Sequence, residues 1–364
     1  MTDSHDSPMP PGGTEHPDRA ERAVQAIPWL IIVAVVVLSF VTGHNVHVGP
    51  LMAVAPAFAG ITARSPRGPL VVGAVAIVTG SVLAAFHTLT VAEPLISLTS
   101  IALISLAGFW AVSIRERQDR TLADVRGVAE VAQGVVLRPV PPRIGPLDLE
   151  VRYAAAASQA RIGGDLYAVV ESPYGMRAVL GDVSGKGLGA VDTAATVVGA
   201  FREAAYDEPS LRDVARRLAV ALERAPDRTS EEFVTAVLLS ITDNGAARLI
   251  NLGHPPPLLL RDGHATLLDA PQPSPPLGIV PPGLLEMPVL DVPLRPGDRL
   301  LLYTDGTTEA RDEAGEFYPL IDRAWDDRPR LGATLDRIGA EVRAHAGEEL
   351  TDDAAMLLVR YAPD

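Results

Sequence analysis

Apolar residues are distributed along this chain in two unlike ways. Between residues 27 and 114 they form four nearly unbroken stretches, about 27–43, 48–63, 69–89 and 94–114. Beyond residue 147 they come in short runs separated by polar and glycine-rich segments. Crossing a hydrocarbon core of about 30 Å takes about 20 helical residues, with about 17 as a lower bound. The third and fourth stretches meet this length, the first is marginal, and the second, bracketed by Pro50 and Gly60, is short. Residues 1–26 are polar and without periodicity, as in a disordered leader. From about 113 to 133 the sequence becomes charged and helix-prone, with Leu122, Val125, Val128 and Val131 at three-residue spacing. This predicts a connecting helix that extends the fourth span until Pro139, Pro141 and Pro142 break it.

The runs after residue 147 predict strands at 149–154, 166–170, 176–183, 234–242, 247–252, 257–261, 289–292, 299–303 and 355–361. Helices are expected at 190–206, 211–224 and 331–346, the last with Leu331, Leu335, Ile338 and Val342 on one face. Strands outnumber helices and several follow each other through short turns. An α/β domain of antiparallel sheets with helices packed on them is therefore expected, rather than a doubly wound parallel fold. The domain plan is a leader (1–26), a transmembrane region of four helices (27–114), a connecting helix with a Pro-rich linker (115–146) and a second domain (147–364).

Charge placement gives the first half an orientation. Arg19 and Arg22 precede the first stretch, Arg64 and Arg67 lie between the second and third, and Arg115, Arg117 and Arg120 follow the fourth. The two other loops carry no Lys or Arg. The positive-inside rule then puts both termini and the second domain in the cytoplasm of a multi-pass plasma-membrane protein. Trp29 and Trp110 fall near the cytoplasmic ends, where interfacial aromatics belong. Membrane lipid is thus a partner. No charge lies mid-span, which argues against a transporter. His44, His47 and His87 belong to the outer loops and read as solvated loop histidines.

Composition narrows the chemistry. The chain of 364 residues has 48% hydrophobic residues, a net charge of −14 and no cysteine. Thiol catalysis and Cys-ligated metals are excluded. Nucleic acid is not an expected partner of so acidic a chain. Lys186 is the only lysine among 31 basic residues, and arginine bias with abundant Ala, Gly and Pro suggests a GC-rich bacterial genome.

Acidic residues gather beside glycines at the ends of predicted strands, in Gly163-Gly164-Asp165-Leu166-Tyr167, Gly181-Asp182-Val183-Ser184-Gly185-Lys186-Gly187, Tyr303-Thr304-Asp305-Gly306 and Thr351-Asp352-Asp353-Ala354. Carboxylates at such positions are costly to desolvate unless paired or metal-bound. Oxygen-only donor sets suit hard ions such as Mg²⁺ or Mn²⁺. Each motif alone could be an ordinary turn; together, in one domain, they point to a metal site. The Gly181–Lys186 segment is not a phosphate-binding P-loop, because three residues separate its glycines and Gly187 follows the lysine.

In this order, and with Asn251-Leu252-Gly253-His254-Pro255 and Leu302-Tyr303-Thr304-Asp305-Gly306-x-x-Glu309, the motifs resemble the metal-dependent PPM protein phosphatases. Among these they resemble the bacterial stage-II-sporulation-E-like subgroup, which includes regulators of sigma-factor pathways. The resemblance covers about residue 131 to the end. It implies two stacked antiparallel sheets flanked by helices and a two-ion Mn²⁺ or Mg²⁺ centre at one edge of the sandwich. Asp182 would bridge both ions, Asp165 would serve the second, and Asp305 and Asp352 would complete the first with the backbone carbonyl of Val183. It implies hydrolysis of phosphoserine or phosphothreonine on a regulatory protein, such as an anti-sigma-factor antagonist, without a phosphoenzyme.

The pattern also departs from relatives. Ser184 stands where some have a histidine that could act as general acid, and Ala168 where many have an aspartate. Lys186 is a catalytic candidate, able to pair with a carboxylate or meet substrate phosphate. Asp353 fits either an extra ligand or a supporting role, Arg161 reads as a surface arginine, and His254 as a turn-shaping residue. The competing reading is a regulator-binding module without turnover, coupled to a membrane sensor. The connecting helix would also allow a homodimer.

Overall fold

The computed structural model describes residues 19–42, 49–86, 92–154, 164–225, 232–326, 328–347, 350 and 352–363, with the backbone alone at 19–22, 92, 121–133 and 135. The histidines of the outer loops, and Arg161, Gly163 and Thr351, lie outside the described residues. The chain divides into two compact units at Leu122/Ala123.

The first unit is helical: α1 (Arg19–Thr42), a 3-10 turn (Gly49–Ala53) running into α2 (Val54–Thr62), α3 (Arg67–Phe86) and α4 (Ala92–Val136). All four apolar stretches form helix, but only three hold segments long and apolar enough to cross a membrane, Ala23–Thr42, Arg67–Phe86 and Glu93–Arg120. The second stretch is the short one, as its sequence indicates. Gly49–Thr62 opens in 3-10 geometry and reaches about 23 Å, short of the roughly 30 Å hydrocarbon core. Small residues let these helices approach closely. A Cβ on Gly73 would lie 1.9 Å from the Ser105 hydroxyl, and one on Gly60 3.1 Å from the Gly108 backbone. The stripe at Leu122, Val125, Val128 and Val131 falls within α4.

The second unit stacks two antiparallel sheets between helices. One sheet has the strand order β1 (Arg143–Ile144), β2 (Leu147–Ala154), β11 (Ala354–Tyr361), β10 (Arg299–Tyr303), β7 (Leu258–Arg261), β8 (His264–Leu267). The other has β3 (Leu166–Ser172), β4 (Gly175–Val183), β5 (Val234–Ile241), β6 (Ala246–Leu252), β9 (Leu290–Pro293). Alternation along the strands sorts their side chains into layers. Ala178, Leu180, Val237 and Leu239 face Leu300, Leu302, Leu357 and Val359 between the sheets. Val179, Ala236 and Leu238 point the other way, into α5 (Leu188–Asp207) and α6 (Leu211–Glu223). Leu301, Met356 and Leu358 likewise pack under α9 (Leu331–His345). Buried strands of this kind read as nearly continuous apolar runs, which is why their positions are visible in the sequence.

Two buried basic side chains close loops of this frame. Arg177, 1% exposed on β4, donates Nη1 to Ala205 O (3.0 Å) and Nη2 to Pro209 O (2.8 Å), capping the end of α5. Arg299 does the same for the loop before α9, through Asp326 O (2.7 Å) and Arg328 O (2.8 Å).

Candidate active site

Sheet register brings the acidic motifs to one edge of the sandwich. Leu166 pairs with Gly181, so Asp165, just before β3, lies beside Asp182 near the end of β4. Tyr303 pairs with Met356, so Asp305, opening the short helix α7 (Asp305–Thr308), lies beside Asp352 and Asp353, which precede β11. Each sheet thus contributes one acidic pair.

Glycine is required at two close approaches. A Cβ on Gly164 would stand 2.4 Å from the Val183 carbonyl oxygen and 2.8 Å from Asp182 Oδ1. One on Gly306 would stand 1.8 Å from the Asp353 carbonyl oxygen. No side chain fits at either point, so the glycines of the motifs set the spacing between acids rather than loop flexibility. The Val183 carbonyl and an Asp182 oxygen therefore face the same side, over Gly164.

Thr304 joins the two sheets at this edge. Its hydroxyl donates to Asp165 Oδ2 (2.8 Å) and accepts from the Ala355 amide (2.9 Å). Tyr153 on β2 donates its hydroxyl to Asp353. Lys186 Nζ lies 2.9 Å from both oxygens of Asp352. Ser184 accepts from the Phe233 amide (2.8 Å), so the residue standing where relatives have histidine is tied to the backbone. His254 is 5% exposed. Its Nδ1 accepts from Thr235 (2.9 Å), its Nε2 donates to Tyr303 O (3.1 Å), and Asn251 holds its backbone on both sides. It shapes the turn between β6 and β7, as read from the sequence, and it also links β5 of one sheet to β10 of the other.

The electrostatics follow from this crowding. Burial and then the neighbouring Asp182 charge hold the Asp165 carboxyl well above the usual carboxylate range. Burial, then Asp305 and Asp352, push Asp182 up to about 7. Burial, then Glu309 and Asp352, raise Asp305, and Lys186 partly offsets this. Burial lowers His254 to about 3, so it is neutral at physiological pH. Like charges held this close favour either protons or a cation. The donors are all oxygen, which fits hard divalent ions, although among the described residues no three acidic or histidine side chains already surround one point.

The sequence-derived candidates Asp165, Asp182, Val183, Lys186, Asp305 and Asp352 all fall at this edge. Thr304 and Tyr153 were not singled out from the sequence. A threonine directly before the aspartate of a strand-end motif was the available signal for the first; nothing local marks the second.

A solved structure with a TM-score above 0.5 supports the same architecture. The SiaA-PP2C domain of Pseudomonas aeruginosa superposes with a TM-score of 0.57 at 17% identity, over 68% of this chain and 98% of that one. The RsbU and RsbW domains of Rv1364c from Mycobacterium tuberculosis match at 24% identity and a TM-score of 0.49, over 61% of this chain and 62% of that one. The PP2C phosphatase domain of SpoIIE from Bacillus subtilis, with a fragment of its regulatory domain, matches at 17% identity and 0.48, over 59% and 63%. This chain therefore spans less than two thirds of the latter two. The sequence profile of Stage II sporulation protein E (SpoIIE) matches residues 172–362, from within β3 to just past β11. With more than half its length in that match and a two-sheet PP2C-like sandwich around the acidic edge, the chain belongs to the SpoIIE family.

Proposed function

We propose that this chain is a membrane-tethered protein phosphatase that hydrolyses phosphoserine and phosphothreonine on a regulatory protein, such as an anti-sigma-factor antagonist. One observation carries the reading: Asp165 and Asp182 from one sheet meet Asp305 and Asp352 from the other at a single edge, where Asp165, Asp182 and Asp305 are all raised by burial and mutual repulsion. Strongly perturbed carboxylates in such a cluster mark functional sites more often than structural ones.

In this reading two Mn²⁺ or Mg²⁺ ions would be held by Asp182 in common, the second also by Asp165 and the first by Asp305, Asp352 and the Val183 carbonyl. When bound, the ions supply an acidified water and charge stabilisation at the phosphoryl group. The chain's own residues have separate tasks. Thr304 fixes the rotamer of Asp165. Lys186, whose side chain is 31% exposed, has the reach to exchange Asp352 for a substrate phosphate. Ser184 offers a hydroxyl, too weak an acid to stand in for an imidazolium, so in this reading the leaving oxygen takes its proton from water.

Residues 147–364 would form the phosphatase domain, 115–146 its connecting helix and linker, and 27–114 the membrane region. The basic ends support a cytoplasmic placement: Arg115 Nη1 lies 3.3 Å from Ile61 O, so the end of α2 and the basic end of the α4 span share one level. Arg64 and Arg67 follow Ile61 by three and six residues.

The test is turnover of phosphoserine and phosphothreonine peptides by the full-length protein in nanodiscs with Mn²⁺. Asp182→Asn and Asp305→Asn are each expected to lose at least about a hundredfold in kcat, the scale of removing a key transition-state stabiliser. Undiminished turnover in either would sink the metal assignment. The alternative, a binding module without turnover, is favoured by the Lys186–Asp352 pair, in which a lysine already occupies a proposed ligand. It predicts no Mn²⁺ heat in calorimetry of the wild type.

A further inference from the structure

The membrane unit holds a cavity that the phosphatase reading leaves unused. It has a volume of about 380 Å³ and lies where the start of α1, the end of α2 and the start of α3 come together. Pro28, Ala59 and Val72 are its buried apolar lining. Arg64, Ser65 and Arg67 also line it, together with Trp29, which is 43% exposed. None of the described side chains that line it is acidic. The first turn of α3 also has no acidic residue, so its helix dipole adds to the positive potential of the two arginines. Arg115, bonded to Ile61 O, brings a third guanidinium to the same end of the helices.

Position selects the ligand. These residues close the ends of apolar spans, at the depth of lipid headgroups, where tryptophan is enriched. From the cavity, exposed apolar side chains continue along two helices: Leu30 and Val33 on α1, Val71, Val75 and Val78 on α3. A ligand filling both regions needs a compact anionic head and long apolar tails. We propose that the cavity binds the headgroup of a single anionic phospholipid, its phosphate against Arg64 and Arg67 and its acyl chains along α1 and α3.

This inference rests on the membrane reading but not on the phosphatase chemistry, and the experiment separates them. Full-length protein is placed in nanodiscs of mixed phosphatidylglycerol and phosphatidylcholine, and retained lipid is read by native mass spectrometry. The wild type is expected to retain one phosphatidylglycerol with about tenfold preference, the scale of one to two basic side chains at an anionic surface. Arg64→Gln with Arg67→Gln should reduce the preference below about twofold. Arg117→Gln with Arg120→Gln removes the same charge from α4 outside the cavity and should leave it intact. Val71→Trp, which narrows the cavity without changing charge, should also abolish it, and decides the matter if the double arginine variant fails to fold. Equal loss in both double variants would reduce the effect to general surface attraction and overturn the site. So would retention in the Arg64/Arg67 and Val71 variants. Failure of the wild type to enter bilayers would overturn the membrane reading and the site together, with phosphatase activity still measurable.

Discussion

Thr304 spends both hydrogen-bonding capacities of one buried hydroxyl on the acidic edge, donating to Asp165 and accepting from Ala355. Thr304→Val preserves its shape and removes both bonds. Loss of such supporting partners typically costs about 10- to 100-fold in metal affinity, so calorimetric Mn²⁺ binding should weaken by that order, with Thr304→Ser restoring most of it. His254 gives a stability prediction with a definite sign. Its folded pKa of about 3 lies below the unfolded value of about 6.5. Between these values the unfolded chain binds the extra proton, so stability falls as pH drops, by up to about 1.4 kcal/mol per pH unit, and is fully present above about pH 6.5. Asp182, raised to about 7 by burial and by Asp305, acts in the opposite sense over part of that range. The quantity to measure is therefore the difference between wild type and His254→Gln. Thermal midpoints should fall more steeply between pH 6.5 and 4 in the wild type. At this scale the aspartates were legible in the sequence because glycine-flanked acids ended apolar runs. Thr304 and Tyr153 were not, because what gives each its role lies 139 and 200 residues away, at Asp165 and Asp353.

The major elements were legible nearly to their ends. The expected helices at 190–206, 211–224 and 331–346 are Leu188–Asp207, Leu211–Glu223 and Leu331–His345. The strand expected at 299–303 has those bounds. The elements not anticipated are small or lack a buried face. β1 has two residues, β8 alternates between exposed and half-buried positions, and α7 and α8 (Leu320–Arg323) are single turns. Periodicity has nothing to register over so few side chains. The short second membrane helix had visible markers in Pro50 and Gly60, and Pro50 lies within its 3-10 opening. Arg177 shows what an apolar pattern conceals: a charged side chain inside a strand whose value is to cap α5. Arg177→Met should leave the carbonyls of Ala205 and Pro209 without their donor. The expected cost is about 2–4 kcal/mol, seen as a thermal midpoint lower by at least about 5 °C.

For the whole molecule, the averages describe neither half. The apolar share is concentrated in the helical unit, while the acidity lies mainly in the second, where at least four carboxylates gather at one edge. The lack of cysteine makes the topology directly testable. Single cysteines at Asn45 and Ser65 in otherwise native protein should differ towards an impermeant maleimide on intact cells. Asn45→Cys should label and Ser65→Cys should not; labelling of both would show that the second apolar stretch does not cross. The family profile begins at residue 172, after Asp165, so the first acidic motif was legible only through its glycines and its spacing. Because one acidic pair belongs to each sheet, the distance between the pairs is a gauge of how the sheets slide over each other. An offset of about 1 Å can cost a hundredfold in a positioned reaction. The apolar layer between the sheets, with the Thr304 and His254 struts, is therefore also the alignment mechanism of the site, and a methyl group lost deep in that layer should be felt at its rim.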